Sequence, residues 1–301
     1  MVRVVGQAVT RVLSSAGCSG RPALIFFAIL KRLTINGKNV KSKLLFLLIV
    51  VVVAGFIWYW QSGGDDTQNN SEMLNGVGDY EIISADTQYF ENSNGYFARP
   101  ASDGTFPGVI MIHEWWGLND NIKDMARQLA AEGYIVLAVD LYNGEVAADS
   151  ARARELTSGL DQETATANME AALNYLREHN ATRLASLGWC FGGGQSMQLA
   201  LAGQDLDATV IYYGNLVTEV GRLENINWPV LGVFGDQDQS IPVDTVNQFE
   251  TALNGAGVQN EIYIYEGVGH AFANPSGDNY APEETMDAWE KTLSFLERSL
   301  K

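Results

Sequence analysis

From residue 108 onward, short uninterrupted apolar runs alternate with segments whose apolar residues recur every three or four positions. Gly108-Val109-Ile110-Met111-Ile112 and Tyr134-Ile135-Val136-Leu137-Ala138-Val139 are charge-free runs of strand length, as expected of strands buried on both faces. Further strands are expected at 183–187, 208–213, 230–234 and 261–265, and helical periodicity at 121–132, 162–178, 195–202, 243–254 and 282–300. Upstream, residues 80–84, 88–92 and 96–99 read as an antiparallel start, with turns at Asp86 and Asn94-Gly95. Strands alternating with helices imply an α/β domain with a mostly parallel sheet covered on both faces and its site at the strands' carboxyl ends. There is no internal repeat.

A different pattern precedes this domain. Residues 44–60 run from Leu44 to Tyr59-Trp60 without a charge, long enough to span a bilayer as a helix. Lys38, Lys41 and Lys43 flank its start, and Trp58, Tyr59 and Trp60 close it as an interfacial belt would. The expected layout is a basic cytoplasmic segment 1–43, a transmembrane helix 44–60, a flexible Gly/Asn/Ser-rich tether 61–74 and a domain 75–301 on the extracytoplasmic side. A cleaved signal ending near Val52-Val53-Ala54, which would release a secreted or periplasmic domain, is one competing reading, and a buried core helix is another. No Met lies between Met1 and Met73, so any start in between would use another codon.

Charge sharpens this division. Eight basic and no acidic residues precede Leu44, leaving 11 basic against 36 acidic ones and a net charge of -25 for the rest of the chain. Such a domain repels nucleic acid and anionic lipid. The two cysteines, Cys18 and Cys190, fall on opposite sides of the apolar run, so no intramolecular disulfide is expected.

The chemistry centres on Gly188-Trp189-Cys190-Phe191-Gly192-Gly193-Gly194, a G-x-nucleophile-x-G frame between a strand and a helix. Glycines two before and two after Cys190 permit a turn in which a Cβ would collide with its surroundings. The thiol then sits at a helix N-terminus, whose unpaired N–H groups and dipole favour an anion. The plainer alternative is an inert cysteine in a glycine-rich turn. A nucleophile needs a base, and in folds with this elbow the acid and then the histidine follow it in sequence. His113 and His179 both precede Cys190, which leaves His270, in Gly269-His270-Ala271-Phe272. The acid is expected in Asp236-Gln237-Asp238-Gln239-Ser240-Ile241-Pro242. Asp238 is preferred, because its spacing to Pro242 leads into the next helix, and Asp236 is read as a turn former.

Taken together, these motifs resemble the dienelactone hydrolase family from about residue 75 to the end. The elbow spans Gly188 to Gly193, the aspartate loop Asp238 to Pro242 and the H-x-F pattern His270 to Phe272; Asp140-Leu141-Tyr142 matches a D-L-Y segment read as structural. The resemblance implies the α/β-hydrolase fold, a triad of Cys190, Asp238 and His270, and ester or lactone hydrolysis with no cofactor and no metal. It also implies that Glu114 bonds the resting thiol and joins its activation, and that backbone N–H groups of Phe191 and Trp115 hold the oxyanion. Trp115, Trp116, Tyr142, Trp189, Phe191 and Phe272 are candidates to line a pocket for a neutral substrate, each also a candidate for the core.

One departure matters. Members of the family that hydrolyse dienelactone bind its carboxylate with two arginines, one just after the D-L-Y segment and one four residues beyond the histidine. Here Asn143 and Gly144 stand at the first place and Asn274 at the second, so a small-molecule ester or lactone other than dienelactone is expected. Two other classes remain open: a metal-dependent hydrolase, weakened because His113-Glu114 lacks the second histidine of H-E-x-x-H, and a non-catalytic, envelope-tethered binding module on the same fold.

Overall fold

A computed structural model of the chain describes residues 78–301. The segments 1–43, 44–60 and 61–74, with the proposed membrane helix and tether, lie outside the described residues. Among the described residues no helix is long and apolar enough to cross a membrane.

The elements in chain order are β1 (Ile82–Phe90), β2 (Ser93–Pro100), β3 (Phe106–Ile112), α1 (Asp120–Ala131), β4 (Ile135–Val139), α2 (Ser150–Ser158), α3 (Gln162–Glu178) and β5 (Ala181–Trp189). They continue with α4 (Phe191–Leu201), β6 (Ala208–Tyr212), α5 (Val220–Leu223), β7 (Val230–Gly235), α6 (Val243–Gly255), β8 (Asn260–Tyr265) and α7 (Pro282–Leu300). They form one eight-stranded sheet in the order β1-β2-β4-β3-β5-β6-β7-β8. The β1–β2 and β2–β4 pairs are antiparallel, and from β4 to β8 every pair is parallel.

The apolar runs become strands because both of their faces are covered. Ile110, Ile112, Ile135, Leu137 and Val139 pack with Met169, Leu173 and Leu176 of α3. Their strand neighbours Val109, Met111, Val136 and Ala138 join a second cluster with Ile122 and Leu129 of α1, Phe249 of α6 and Phe295 of α7. Alternate residues of one strand thus feed two layers of helix. The helices begin where short polar side chains accept their first amides: Asn119 from Ile122 N–H, Asp149 from Arg152 N–H and Asp161 from Thr164 N–H.

The antiparallel start differs from the sequence expectation. Two strands replace the three expected, because β1 runs unbroken through Asp86 and the hairpin turn falls after Phe90, with Glu91 at φ 39°. Asn94 and Gly95 lie inside β2, opposite Gln88 and Thr87. Gly95 serves close approach: a Cβ there would stand 2.7 Å from the carbonyl oxygen of Ala138 on β4. Similarly, α4 begins at Phe191, directly behind the cysteine, instead of at Gln195.

Candidate active site

Five parallel strands deliver the chemistry to one end of the sheet. Glu114 follows β3, Asp140 and Tyr142 follow β4, Cys190 follows β5, Asp238 follows β7 and His270 follows β8. This is the carboxyl edge, where side chains from adjacent loops converge.

The turn at Cys190 is as tight as its glycines require. Cys190 adopts φ 53° and ψ -115°, a region L-residues occupy at a cost of about 1–3 kcal/mol. Its amide donates to the Tyr212 carbonyl at 2.9 Å, and its carbonyl accepts from Gly194 N–H at 3.1 Å. A Cβ on Gly188 would lie 2.1 Å from the Gly192 oxygen, and one on Gly192 would lie 2.2 Å from the Ile112 oxygen. The strand, the elbow and the end of β3 are therefore in backbone contact, and the sulfur is left half-buried.

His270 Nε2 lies 3.1 Å from Cys190 Sγ, and its Nδ1 lies 2.8 Å from Asp238 Oδ2. The Asp238 side chain is fully buried, and its second oxygen accepts from Ser240 N–H at 2.7 Å and Ile241 N–H at 3.0 Å. Asp236 is turned elsewhere and accepts from Gly267 N–H at 2.7 Å. Asn279 fixes the histidine loop by donating to the His270 carbonyl at 2.9 Å. Burial acting alone would push His270 down, but its hydrogen bonds to Asp238 and Cys190, and the negative charge of both, raise it to about 10. For Asp238 burial acts upward, and is outweighed by the bonds from His270, Ile241 and Ser240, which hold it below the ordinary carboxylate range.

Glu114 is only 4% exposed and accepts a hydrogen bond from the Asn274 amide. The structure thus pairs the thiol with His270 and the glutamate with Asn274, and shows no Glu114–thiol bond of the kind the resemblance implied. Burial raises the Glu114 carboxyl to about 7, against smaller opposing effects of His270 and Asn274. His113, fully buried, bonds the Glu114 carbonyl through Nδ1 at 2.6 Å and accepts from Leu141 N–H through Nε2 at 3.2 Å, so it ties two loops together; burial lowers its basicity.

Two backbone donors lie next to site residues in the sequence, beside Cys190 and Glu114. Phe191 is the first residue of α4, and Trp115 lies in the loop whose start touches Gly192; among the described residues neither amide meets a protein acceptor. Of the aromatic candidates, Trp189, Tyr142 and Phe272 belong to the core, whereas Trp115, Trp116 and Phe191 stay half-buried, the two tryptophans packed edge to face at 4.9 Å. A cleft of about 600 Å³ lined by Asp86, Lys123, Asp140 and Val146 contains none of Cys190, Asp238 and His270. Among the described residues no group of three or more His, Cys, Asp or Glu side chains is placed to hold a metal ion.

Tyr213 is the residue the motifs did not point to. It follows β6 at φ 35° and packs edge-on against His270, with ring centroids 5.3 Å apart. Its only trace in the sequence is its place at the end of a strand between two strands that carry site residues.

The dienelactone hydrolase family profile matches residues 93–300. A Salmonella typhimurium protein provisionally named a carboxymethylenebutenolidase is 35% identical over 218 residues, which is 67% of this chain and 81% of that protein. The Aquifex pyrophilus protein usf is 34% identical over 68% of this chain and 93% of its own length. The crystal structure of a Klebsiella pneumoniae protein, provisionally named a dienelactone hydrolase, superimposes with a TM-score of 0.67 at 32% identity, covering 72% of this chain and 99% of that one. With its eight-stranded sheet and its elbow, the chain belongs to the dienelactone hydrolase family, as a carboxylic ester or lactone hydrolase of the α/β-hydrolase fold.

Proposed function

We propose that the protein hydrolyses a neutral, partly apolar ester, lactone or thioester other than dienelactone through an acyl-cysteine intermediate. The observation that carries this reading is the continuous line from Cys190 Sγ through the His270 ring to Asp238. The Cys190 thiol passes its proton to His270, the sulfur attacks the carbonyl carbon, and the electron pair displaced onto oxygen is held by the N–H groups of Phe191 and Trp115. Collapse of this adduct breaks the bond to the leaving oxygen, or to sulfur in a thioester, and the leaving atom takes the proton from His270; in a lactone it stays tethered to the acyl chain. Water then gives a proton to His270 and attacks the thioester, releasing the acid and the thiolate. Asp238 holds the imidazole in the tautomer and orientation both steps need.

The substrate class is argued from what stands where cations would be needed. Asn143 accepts from Ser93 Oγ at 2.9 Å, the Gly144 amide is held by Asp140, and Asn274 is spent on Glu114. None of these groups offers positive charge to a carboxylate, and a chain carrying -25 beyond residue 43 repels anions at long range. The test is a matched pair of p-nitrophenyl esters, one neutral and one with a terminal carboxylate on its acyl chain. A higher kcat/KM for the neutral ester supports the reading, and a preference for the anionic one refutes the substrate class.

The same proposal anchors the enzyme by residues 44–60, with the domain on the extracytoplasmic side. The charge-free run, the preceding lysines and the closing aromatic cluster support it. Retention in the membrane pellet after an alkaline carbonate wash is the expected result; release of the protein would contradict it.

A further inference from the structure

The bond between Asn274 and Glu114 crosses the site from one side to the other. Glu114 follows β3 and Asn274 lies in the loop after β8, with β5, β6 and β7 between those strands. Both side chains are buried. The Asn274 N–H donates to the Ala271 carbonyl at 3.0 Å, its carbonyl accepts from Gly277 N–H at 3.0 Å, and its Oδ1 accepts from Ser276 N–H at 2.8 Å. Those three bonds are local and shape the histidine loop, whereas Nδ2 leaves the loop to reach the Glu114 carboxyl. Glu114 is fixed in turn: its carbonyl accepts from Gly117 N–H at 3.2 Å and bonds His113 Nδ1 at 2.6 Å. The carbonyls of Ile112 and His113, just before it, lie against Gly192 of the elbow.

A ring of contacts is thereby closed: the elbow to β3, Glu114 to Asn274, and His270 back to the Cys190 sulfur. Its strained member is the histidine loop. Ala271, directly after His270, sits at φ 61°, a conformation that a residue with a Cβ keeps only where its surroundings enforce it. The carbonyl of that same alanine is held by the Asn274 N–H, so whatever fixes Asn274 also fixes the backbone that aims the imidazole. A buried amide donating to a carboxyl group is a strong and directional tie. Resting on the hydrolase reading given above, we propose that Asn274 is a positioning residue, whose bond to Glu114 anchors the strained histidine loop to the loop after β3 and so keeps His270 within reach of both Cys190 and Asp238.

The test separates the bond from the packing around it. Asn274→Ser keeps an oxygen for Ser276 N–H but is too short to reach Glu114; should it not fold, Asn274→Leu, which keeps the volume, takes its place. Asn274→Asp combined with Glu114→Gln restores the bond with donor and acceptor exchanged. In the full chain carrying isotope-labelled histidine, the downfield NMR resonance of the His270 Nδ1–H bonded to Asp238 is expected in the parent, lost to solvent exchange in Asn274→Ser, and regained in the exchanged pair. On a neutral p-nitrophenyl ester, Asn274→Ser is expected to lose about 10- to 100-fold in kcat with KM within a few-fold of the parent, because the base is displaced and the binding surface is not. A parental resonance or a parental kcat in folded Asn274→Ser would overturn the proposal, and so would a folded exchanged pair that lacks the resonance. If the parent hydrolyses no ester while the resonance follows the substitutions as described, the hydrolase reading fails and the role of Asn274 stands.

Discussion

Asp238 meets His270 with one oxygen while its other oxygen is held by two backbone amides, those of Ser240 and Ile241. A carboxylate clamped in this way cannot turn, so the imidazole Nδ1 can only donate to it and Nε2 is left to face the sulfur. Asp238→Asn keeps the shape and offers the ring the wrong partner. A fall in kcat on the order of 10⁴-fold is expected, with KM for a neutral ester little changed. Asp236→Asn, which keeps an acceptor for Gly267 N–H, is expected to stay within a few-fold of the parent. Equal losses in the two variants would contradict the assignment.

The elbow makes a separate prediction about folding. Gly192 stands so close to the carbonyl oxygens of Ile112 and His113 that a methyl group would lie 2.2 and 2.5 Å from them. Backbone cannot yield there without moving β3, so Gly192→Ala is expected to cost about 1–3 kcal/mol or more in urea unfolding. Gly221→Ala, in α5 with nothing within 4 Å, is the control and is expected to stay within about 0.5 kcal/mol of the parent. Equal stability of the two variants would mean that the elbow tolerates a side chain.

Stability should also depend on pH in a definite sense. Glu114, lifted by burial from 4.5 to about 7, holds its proton more tightly folded than unfolded, so its contribution falls as pH rises between those values, by on the order of 3 kcal/mol. His270 contributes stability that is complete below about 6.5 and is lost as pH climbs through about 10. Asp238, held low, contributes stability present above its ordinary value of 3.8 and lost as pH falls below it. These three groups together place the maximum near mildly acidic pH. Between pH 5 and 6.5, urea unfolding is expected to show the parent losing stability while Glu114→Gln stays nearly level; parallel slopes would contradict the assignment to Glu114.

Much of this arrangement is legible in the sequence because its physical causes are local. The buried strands announce themselves as apolar runs, and the Gly188–Cys190–Gly192 spacing announces a turn that only glycine permits. Where local signals misled, a long-range contact had overridden them. Asn94-Gly95 is turn chemistry by composition, yet Gly95 is needed for contact with Ala138 on β4 and lies within a strand. Three successive glycines argue against a helix before Gln195, yet Gly193 and Gly214 let α4 and the end of β6 approach within a Cβ's reach, so the helix starts at Phe191. Helix α2 buries only Ala153 and so has no apolar stripe to detect. The Glu114–Asn274 bond joins residues 160 positions apart, and nothing in the local sequence of either announces it.

Whether the sulfur of Cys190 is the nucleophile is decided by comparing kcat/KM of Cys190→Ala with that of the parent on a neutral p-nitrophenyl ester. With the thiol as nucleophile, a loss on the order of 10³-fold or more is expected, leaving only what the oxyanion donors and binding supply. Hydrolysis at the parental rate by a correctly folded Cys190→Ala protein would contradict it.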